Sequence, residues 1–230
     1  ASPDILDGNL LGTASEVKRA LADIRGPLSL HGPFFDMSPG SVDERVNEIC
    51  RMRFNQALHT AAELGAQRMV VHANFIASIR NDFYRRGWHA RNVDFWSAFV
   101  EVARSYNVVI AVENMWEFDP FIIADLLQEV DHPYLKACLD VGHSHIYSDP
   151  EFNISDWVRT LKPWLIHAHM NNNNGRIDEH HGFNYVHGAL DYREILPQLR
   201  DLPSPPIMVL EMDKVEDMRD SLSFFELEPY

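Results

Sequence analysis

Six short apolar runs recur along this 230-residue chain, and each ends in a side chain able to ligate a metal. They are PLSLHG (27–32), RMVVHAN (68–74), VVIAVENM (108–115), LKACLDVGH (135–143), WLIHAHMN (164–171) and PIMVLEM (206–212). Short, β-branched runs without polar alternation read as strands buried on both faces, the pattern of a parallel sheet. The terminal donors are His31, His72, Glu113, Asp140 with His143, His169 and Glu211, spaced 41, 41, 27, 29 and 42 residues apart. Each interval suits one strand–helix unit. In a closed parallel barrel all strand C-termini meet on one face, so these donors would converge on one pocket. A lone histidine at a strand end is ordinarily just hydrogen-bonded. Glu113 and Asp140, however, stand in apolar strands, where a carboxylate needs a partner or a cation. Imidazole and carboxylate together suit zinc, manganese and related divalent ions.

Helical patterns separate the runs. Thr13 with Glu16 and Ser41 with Glu44 fit capping boxes. The helix opening at Ser41 is expected to end near Leu64, with Gly65 as its cap. Asp119-Pro120 fits a cap followed by a first-turn proline. Further helices are expected at about 92–106, 154–162 and 190–201. Strand and helix alternate as in βαβ units, and no low-complexity linker divides the chain, so a single domain spanning 1–230 is expected. Two connections are too long for filler. One, Asn74 to Asn92, holds Arg80, Arg85, Arg86, Trp88 and Arg91. The other, Met170 to Gly188, holds four consecutive asparagines beginning at Asn171, then Asp178 and His180 in D-x-H spacing, with His181 beside them. His167 precedes His169 by two residues on the same strand face and reads as a deeper, core residue.

Acids outnumber bases 34 to 20, a net charge of −14 that disfavours binding to nucleic acid or anionic lipid. No run reaches the ~18 apolar residues of a membrane span. The opening ASPDILDGNL lacks the basic and apolar regions of a secretory signal. Cys50 and Cys138 lie in apolar contexts and read as buried free thiols, with a reducing cytoplasm as the expected compartment.

Between Ser29 and Met212, HGPFFDMSPGS, VVHAN, AVEN, CLDVGH, HAHMNNN, the DEH triplet at Asp178 and VLEM follow one another in a characteristic order. The set resembles the xylose isomerase-like TIM barrels, which include sugar isomerases, epimerases and AP endonucleases of the endonuclease IV type. The resemblance implies an α/β fold of the TIM (β/α)8 type, of which only six strands are identifiable. ASPDILDGNL corresponds to the loop leaving the second strand. The chain is therefore expected to be truncated at its N-terminus, with the open barrel edge covered by a partner chain, as in a homo-oligomer. The resemblance also implies that Glu113, Asp140, His169 and Glu211 hold one divalent ion, and that the two glutamates move protons. His31, His72, His143, Asp178 and His180 match the remaining ligands of the endonuclease's three-zinc pattern. One to three ions of zinc, manganese, cobalt or magnesium follow. The chain departs from the family pattern where HPG reads His72-Ala73-Asn74, and where Phe34 lacks a hydroxyl.

Two activities fit these motifs. The first is a sugar or sugar-phosphate isomerase or epimerase. Here Glu113 and Glu211 act as base and acid, and His143 and His31 hold substrate hydroxyls. Phe34 and Trp116 form an apolar wall, Asn171 contacts substrate, and Arg85 or a neighbouring arginine holds a phosphate. The second is a three-zinc phosphodiesterase, favoured by the nine-ligand set and opposed by the charge and by Phe34. A barrel that only binds a sugar or a metal is the non-enzymatic alternative.

Overall fold

The computed structural model of the chain describes residues 3–225. In chain order the elements are α1 (Pro3–Leu6), α2 (Leu10–Ala20), β1 (Ser29–His31), α3 (Glu44–Leu64), β2 (Arg68–His72), α4 (Asp82–Tyr106), β3 (Val109–Glu113) and α5 (Phe121–Val130). Then follow β4 (Leu135–Asp140), α6 (Val141–Tyr147), α7 (Ile154–Leu161), β5 (Leu165–Met170), α8 (Tyr192–Arg200), β6 (Ile207–Leu210) and α9 (Val215–Leu222). The six strands are hydrogen-bonded in chain order. The pairs β1–β2, β4–β5 and β5–β6 are parallel, as βαβ connections require. Strands β2 to β5 are buried along almost their whole length, as the apolar runs predict. The outer strands β1 and β6 depart from that expectation and are half-exposed, because each has a strand neighbour on one side only.

Contacts gather into two compact units. The first comprises the chain up to Asn74, Ile79–Val112 and Asp125–Lys136, and the second comprises Phe75–Ser78, Glu113–Ala124 and the chain from Ala137 onward. In the first unit α3 and α4 build an aromatic core, with Phe54 stacked on Trp96 at 5.7 Å and Phe95 on Phe99 at 5.9 Å. In the second unit Phe183 stacks on Tyr192 at 3.6 Å. Among the described residues no helix is long and apolar enough to cross a membrane. Cys50 and Cys138 are free and buried.

Several expected boundaries move. The cap of α3 is Asp43, whose carboxylate accepts the Arg45 N–H at 2.9 Å, while Ser41 Oγ holds the Asp43 N–H at 3.2 Å. The C-terminal cap is as expected, with Gly65 left-handed at φ 78°. Thr13 and Glu16 lie inside α2, which is capped by Asn9. ASPDILDGNL carries α1 rather than loop alone; its first two residues lie outside the described residues.

The largest correction concerns the connection after Asn74. Most of it is helix, because α4 starts at Asp82, capped by the Asn81 side chain on the Tyr84 N–H at 2.8 Å. Trp88, Asn92, Phe95, Trp96, Phe99 and Ala103 form one buried stripe, so the helical period runs back past Trp88. Gly87, which argues for a break, costs only about 1 kcal/mol in a helix that such a stripe anchors. The connection after Met170 remains a loop up to α8.

Candidate metal centre

Four of the expected ligands come together at the ends of consecutive strands in the second unit. Glu113 ends β3, Asp140 ends β4, His169 lies next to last in β5, and Glu211 directly follows β6. The register makes Asp140 and His169 Cα partners, and His169 in turn faces Val209. One ligand atom from each of the four lies within 4.8 Å of the others. Nδ1 of His169 is 2.9 Å from Glu113 Oε1 and 3.0 Å from Glu211 Oε2. A ring nitrogen carries at most one proton and cannot satisfy both carboxylates. Glu211 Oε2 is the oxygen left buried without a hydrogen bond.

The electrostatics follow from this crowding. Burial pushes the Asp140 carboxyl up and Glu113 adds to the shift, against the attraction of His143 and His169. Burial opposes charge on His169, yet Glu113 and Glu211 hold its pKa well above the usual value. Glu211 is desolvated too, but contact with His169 lowers it overall.

A second group adjoins the first. Asp140 caps α6 through Oδ1, which accepts the His143 N–H at 2.7 Å. The His143 ring places Nδ1 2.9 Å from the Asn114 carbonyl and Nε2 3.3 Å from Asp178 Oδ2. His180 Nε2 approaches the other Asp178 oxygen at 3.3 Å. Burial works against a charged His143, but Asp140, Asp178 and Glu113 raise its pKa to about 10. The same contacts with His143 and His180 hold Asp178 far below the usual carboxylate range. Trp116 is exposed, and the Tyr147 ring lies 6.1 Å from that of His143.

The asparagine run explains how the loop is held. Asn171, expected against substrate, is buried and donates to Asp140 Oδ2 at 3.0 Å. Asn172 Nδ2 donates to the carbonyls of Phe183 and Leu190, and its Oδ1 accepts the Leu190 N–H. Asn173 and Asn174 accept backbone N–H groups at Gly175, Arg176 and Ile177. Asn172 and His181 pair in an antiparallel bridge, with both hydrogen bonds at 2.9 Å. Asp178 and His180 are thus fixed from both sides.

Sequence reasoning passed over three residues here. Asn114 donates to the Asp140 carbonyl and accepts the Asp140 N–H, both at 2.9 Å. Glu117 is a buried acid that receives the Met115 and Phe75 N–H groups at 2.6 and 3.1 Å. Tyr192 donates its hydroxyl to the Asn171 carbonyl. Glu117 carries a readable signal, a carboxylate in the apolar stretch MWEF.

The first unit holds the other expected residues. His31 and His72 end β1 and β2 with their rings 5.1 Å apart, and Phe34 lies 5.3 Å from the first and 4.9 Å from the second. Asn74 takes φ 55° where the family pattern has glycine, a conformation asparagine tolerates better than other side-chain-bearing residues. Arg85 sits on α4, 3.7 Å from Asp125.

Glu113, Asp140, His169 and Glu211 fit a divalent ion. Three carboxylates face one imidazole, so negative charge exceeds positive whichever form His169 takes. An orphaned buried oxygen, Glu211 Oε2, belongs to the set. Three oxygens and one imidazole nitrogen suit manganese, cobalt, magnesium or zinc.

Residues 2–227 match a family model described as xylose isomerase-like TIM barrel. Two uncharacterised proteins of Methanocaldococcus jannaschii are 26% and 22% identical over 194 and 192 residues, which is 82% and 83% of this chain. The chain spans 65% of the first relative's length and 72% of the second's. A D-tagatose 3-epimerase-like protein shares the fold with TM-score 0.80 at 24% identity, over 94% of this chain and 81% of that one. A Thermus thermophilus protein soaked with ZnCl2 gives TM-score 0.79 at 26% identity, over 98% and 85%. D-psicose 3-epimerase in the presence of D-fructose gives 0.70 at 20% identity, over 89% and 71%.

Proposed function

The chain belongs to the xylose isomerase-like TIM barrels, and on that premise we propose that it is a divalent-metal-dependent isomerase or epimerase of a sugar or sugar phosphate. The reading is carried by one observation: Glu113 and Glu211 reach the same His169 nitrogen from different strands, at 2.9 and 3.0 Å. Two carboxylates brought to one point can serve as proton acceptor and donor on opposite sides of a substrate carbon. A divalent ion held by Glu113, Asp140, His169 and Glu211 supplies, when bound, the positive charge that acidifies a C–H beside a carbonyl.

The other steps belong to the chain's own groups. Glu211, the least enclosed of the four, can accept the carbon-bound proton as a carboxylate. Glu113, when it carries a proton, can return it to the carbon, and exchange with solvent then resets both carboxyls. His143 Nε2, which faces Asp178 at 3.3 Å, can donate to a substrate oxygen that takes that place. Exposed Trp116 offers an apolar wall. The epimerase and epimerase-like neighbours share the fold at 24% identity or less; the donor set, not that likeness, supports the chemistry.

The test is deuterium exchange. Protein loaded with manganese, cobalt, magnesium or zinc is incubated in D2O with a panel of ketoses and their phosphates. Deuterium should enter the carbon beside the carbonyl of one of them. No exchange with any metal and any sugar would defeat the reading.

The His143, Asp178 and His180 group favours a second reading, a three-zinc phosphodiesterase. Elemental mass spectrometry of protein purified without chelator separates the two. About three zincs per chain favours phosphodiester cleavage, and about one divalent ion favours proton transfer at carbon.

A further inference from the structure

Below the four-ligand group lie Cys138 and His167, two side chains that the proposed reaction does not use. Cys138 in β4 stands two residues before Asp140, and His167 in β5 two residues before His169. The alternation of a strand therefore places both on the same faces as those ligands, one layer down. Cys138 and His167 are Cα partners across the β4–β5 ladder. Cys138 Sγ lies 3.4 Å from His167 Nδ1, and the His167 ring stands edge-on to His169 at 5.1 Å. One ligand atom from each of Cys138, His167 and His169 lies within 4.8 Å of the others. Both Cys138 and His167 are fully buried.

We propose that Cys138, His167 and His169 form a second metal site, beneath the carboxylates, that takes a zinc-class ion. Geometry supports it. In a tetrahedral zinc site, a sulfur at ~2.3 Å and a nitrogen at ~2.0 Å stand about 3.5 Å apart. The observed separation of the first two ligands is 3.4 Å. Chemistry supports it as well. One thiolate and two imidazoles select zinc or cobalt over magnesium and manganese, the reverse of an oxygen-rich set. His169 belongs to both groups, so the two sites are coupled: two ions at once would need its ring as an imidazolate, one nitrogen on each, with the second proton released to solvent. The site does not depend on the identity of the reaction above.

A thiol–imidazole hydrogen bond is the competing account of the 3.4 Å contact. Cobalt(II) separates them. The metal-free chain is titrated anaerobically with cobalt until its spectrum is stationary. A thiolate-to-cobalt charge-transfer band in the near ultraviolet is expected. It should vanish in Cys138→Ser and persist in Cys50→Ser and in Glu211→Gln. Zinc-loaded Cys138→Ser should hold one ion fewer by elemental analysis. Cadmium-113 NMR of the unsubstituted chain covers the case of a misfolded variant, since a thiolate ligand moves the resonance far from that of an oxygen and nitrogen site. A band that survives Cys138→Ser, or bound cobalt and cadmium with no sulfur signature, would overturn the site.

Discussion

Asp140 and His143 are joined through the backbone: the carboxylate that closes β4 accepts the His143 N–H at 2.7 Å and so caps the helix that carries that imidazole. One side chain therefore serves both the candidate ion and the local fold. The two duties can be separated by substitution. Asparagine caps a helix as well as aspartate does but lacks the charge, whereas alanine lacks both. Asp140→Asn should keep the Oδ1 cap of α6 but lose divalent affinity, together with the charge that favours protonated His143. Asp140→Ala should lose about 1 kcal/mol in addition, the typical worth of a cap. Urea unfolding and metal titration on the same preparations check this. Equal stability of the two variants would show that the cap contributes nothing.

Glu211 is the least enclosed of the four ligands and holds the orphaned oxygen, Oε2. Glu211→Gln keeps the shape and removes the base. Proton exchange at the substrate carbon should fall roughly 10²–10⁴-fold, the usual contribution of a positioned general base. The measurement is the initial rate of deuterium entry at saturating metal. A fall explained wholly by weaker metal binding, and restored by more metal, would remove Glu211 from proton transfer.

His143 gives the metal-free protein a signature in alkali. Its folded pKa is about 10 against an ordinary value of 6.5, so charged His143 contributes stability that is complete below about pH 6.5. That contribution is lost as pH rises through about 10. Chelator-treated protein should therefore melt at progressively lower temperature from neutral pH to about 10, and His143→Gln should flatten the slope. Metal should act in the opposite direction. His169 is held well above its usual pKa by Glu113 and Glu211 and must give up a proton to ligate. Adding the ion in weak buffer at pH 7 should release protons, and affinity should fall as pH falls. A pH-independent affinity would contradict the charge state assigned to His169.

Much of this centre was legible in sequence because strand ends are. Glu113, Asp140, His169 and Glu211 each end or follow an apolar run that reads as a strand, and the parallel ladder does the rest. Trp88 marks where the reading failed. The segment with four arginines was read as a loop, yet burial of one aromatic stripe carries the helix back through it and outweighs the local cost of Gly87. The four asparagines were visible as unusual, but their partners are backbone groups at Phe183 and Leu190, which no side-chain pattern announces. Asn114 was hidden for the same reason, since its amide pairs with the main chain of Asp140.

Gly142 shows how tightly the carboxylate is held from behind. A Cβ at Gly142 would lie 2.1 Å from Asn171 Oδ1 and 2.9 Å from Asn173 Nδ2. Asn171 cannot easily yield, because its amide donates to Asp140 Oδ2 at 3.0 Å and its carbonyl accepts the Tyr192 hydroxyl. Gly142→Ala should therefore cost about 1–3 kcal/mol, as overpacking does, and should weaken metal binding through Asp140. Tyr192→Phe releases the other end of Asn171 and should cost about 1 kcal/mol, the net worth of one hydrogen bond. Because both act on Asn171, the double variant should lose less than the two single losses combined. Chemical unfolding of the four proteins in the cycle measures the coupling. Strict additivity would mean that Asn171 does not transmit strain from Gly142 to the ligand it supports.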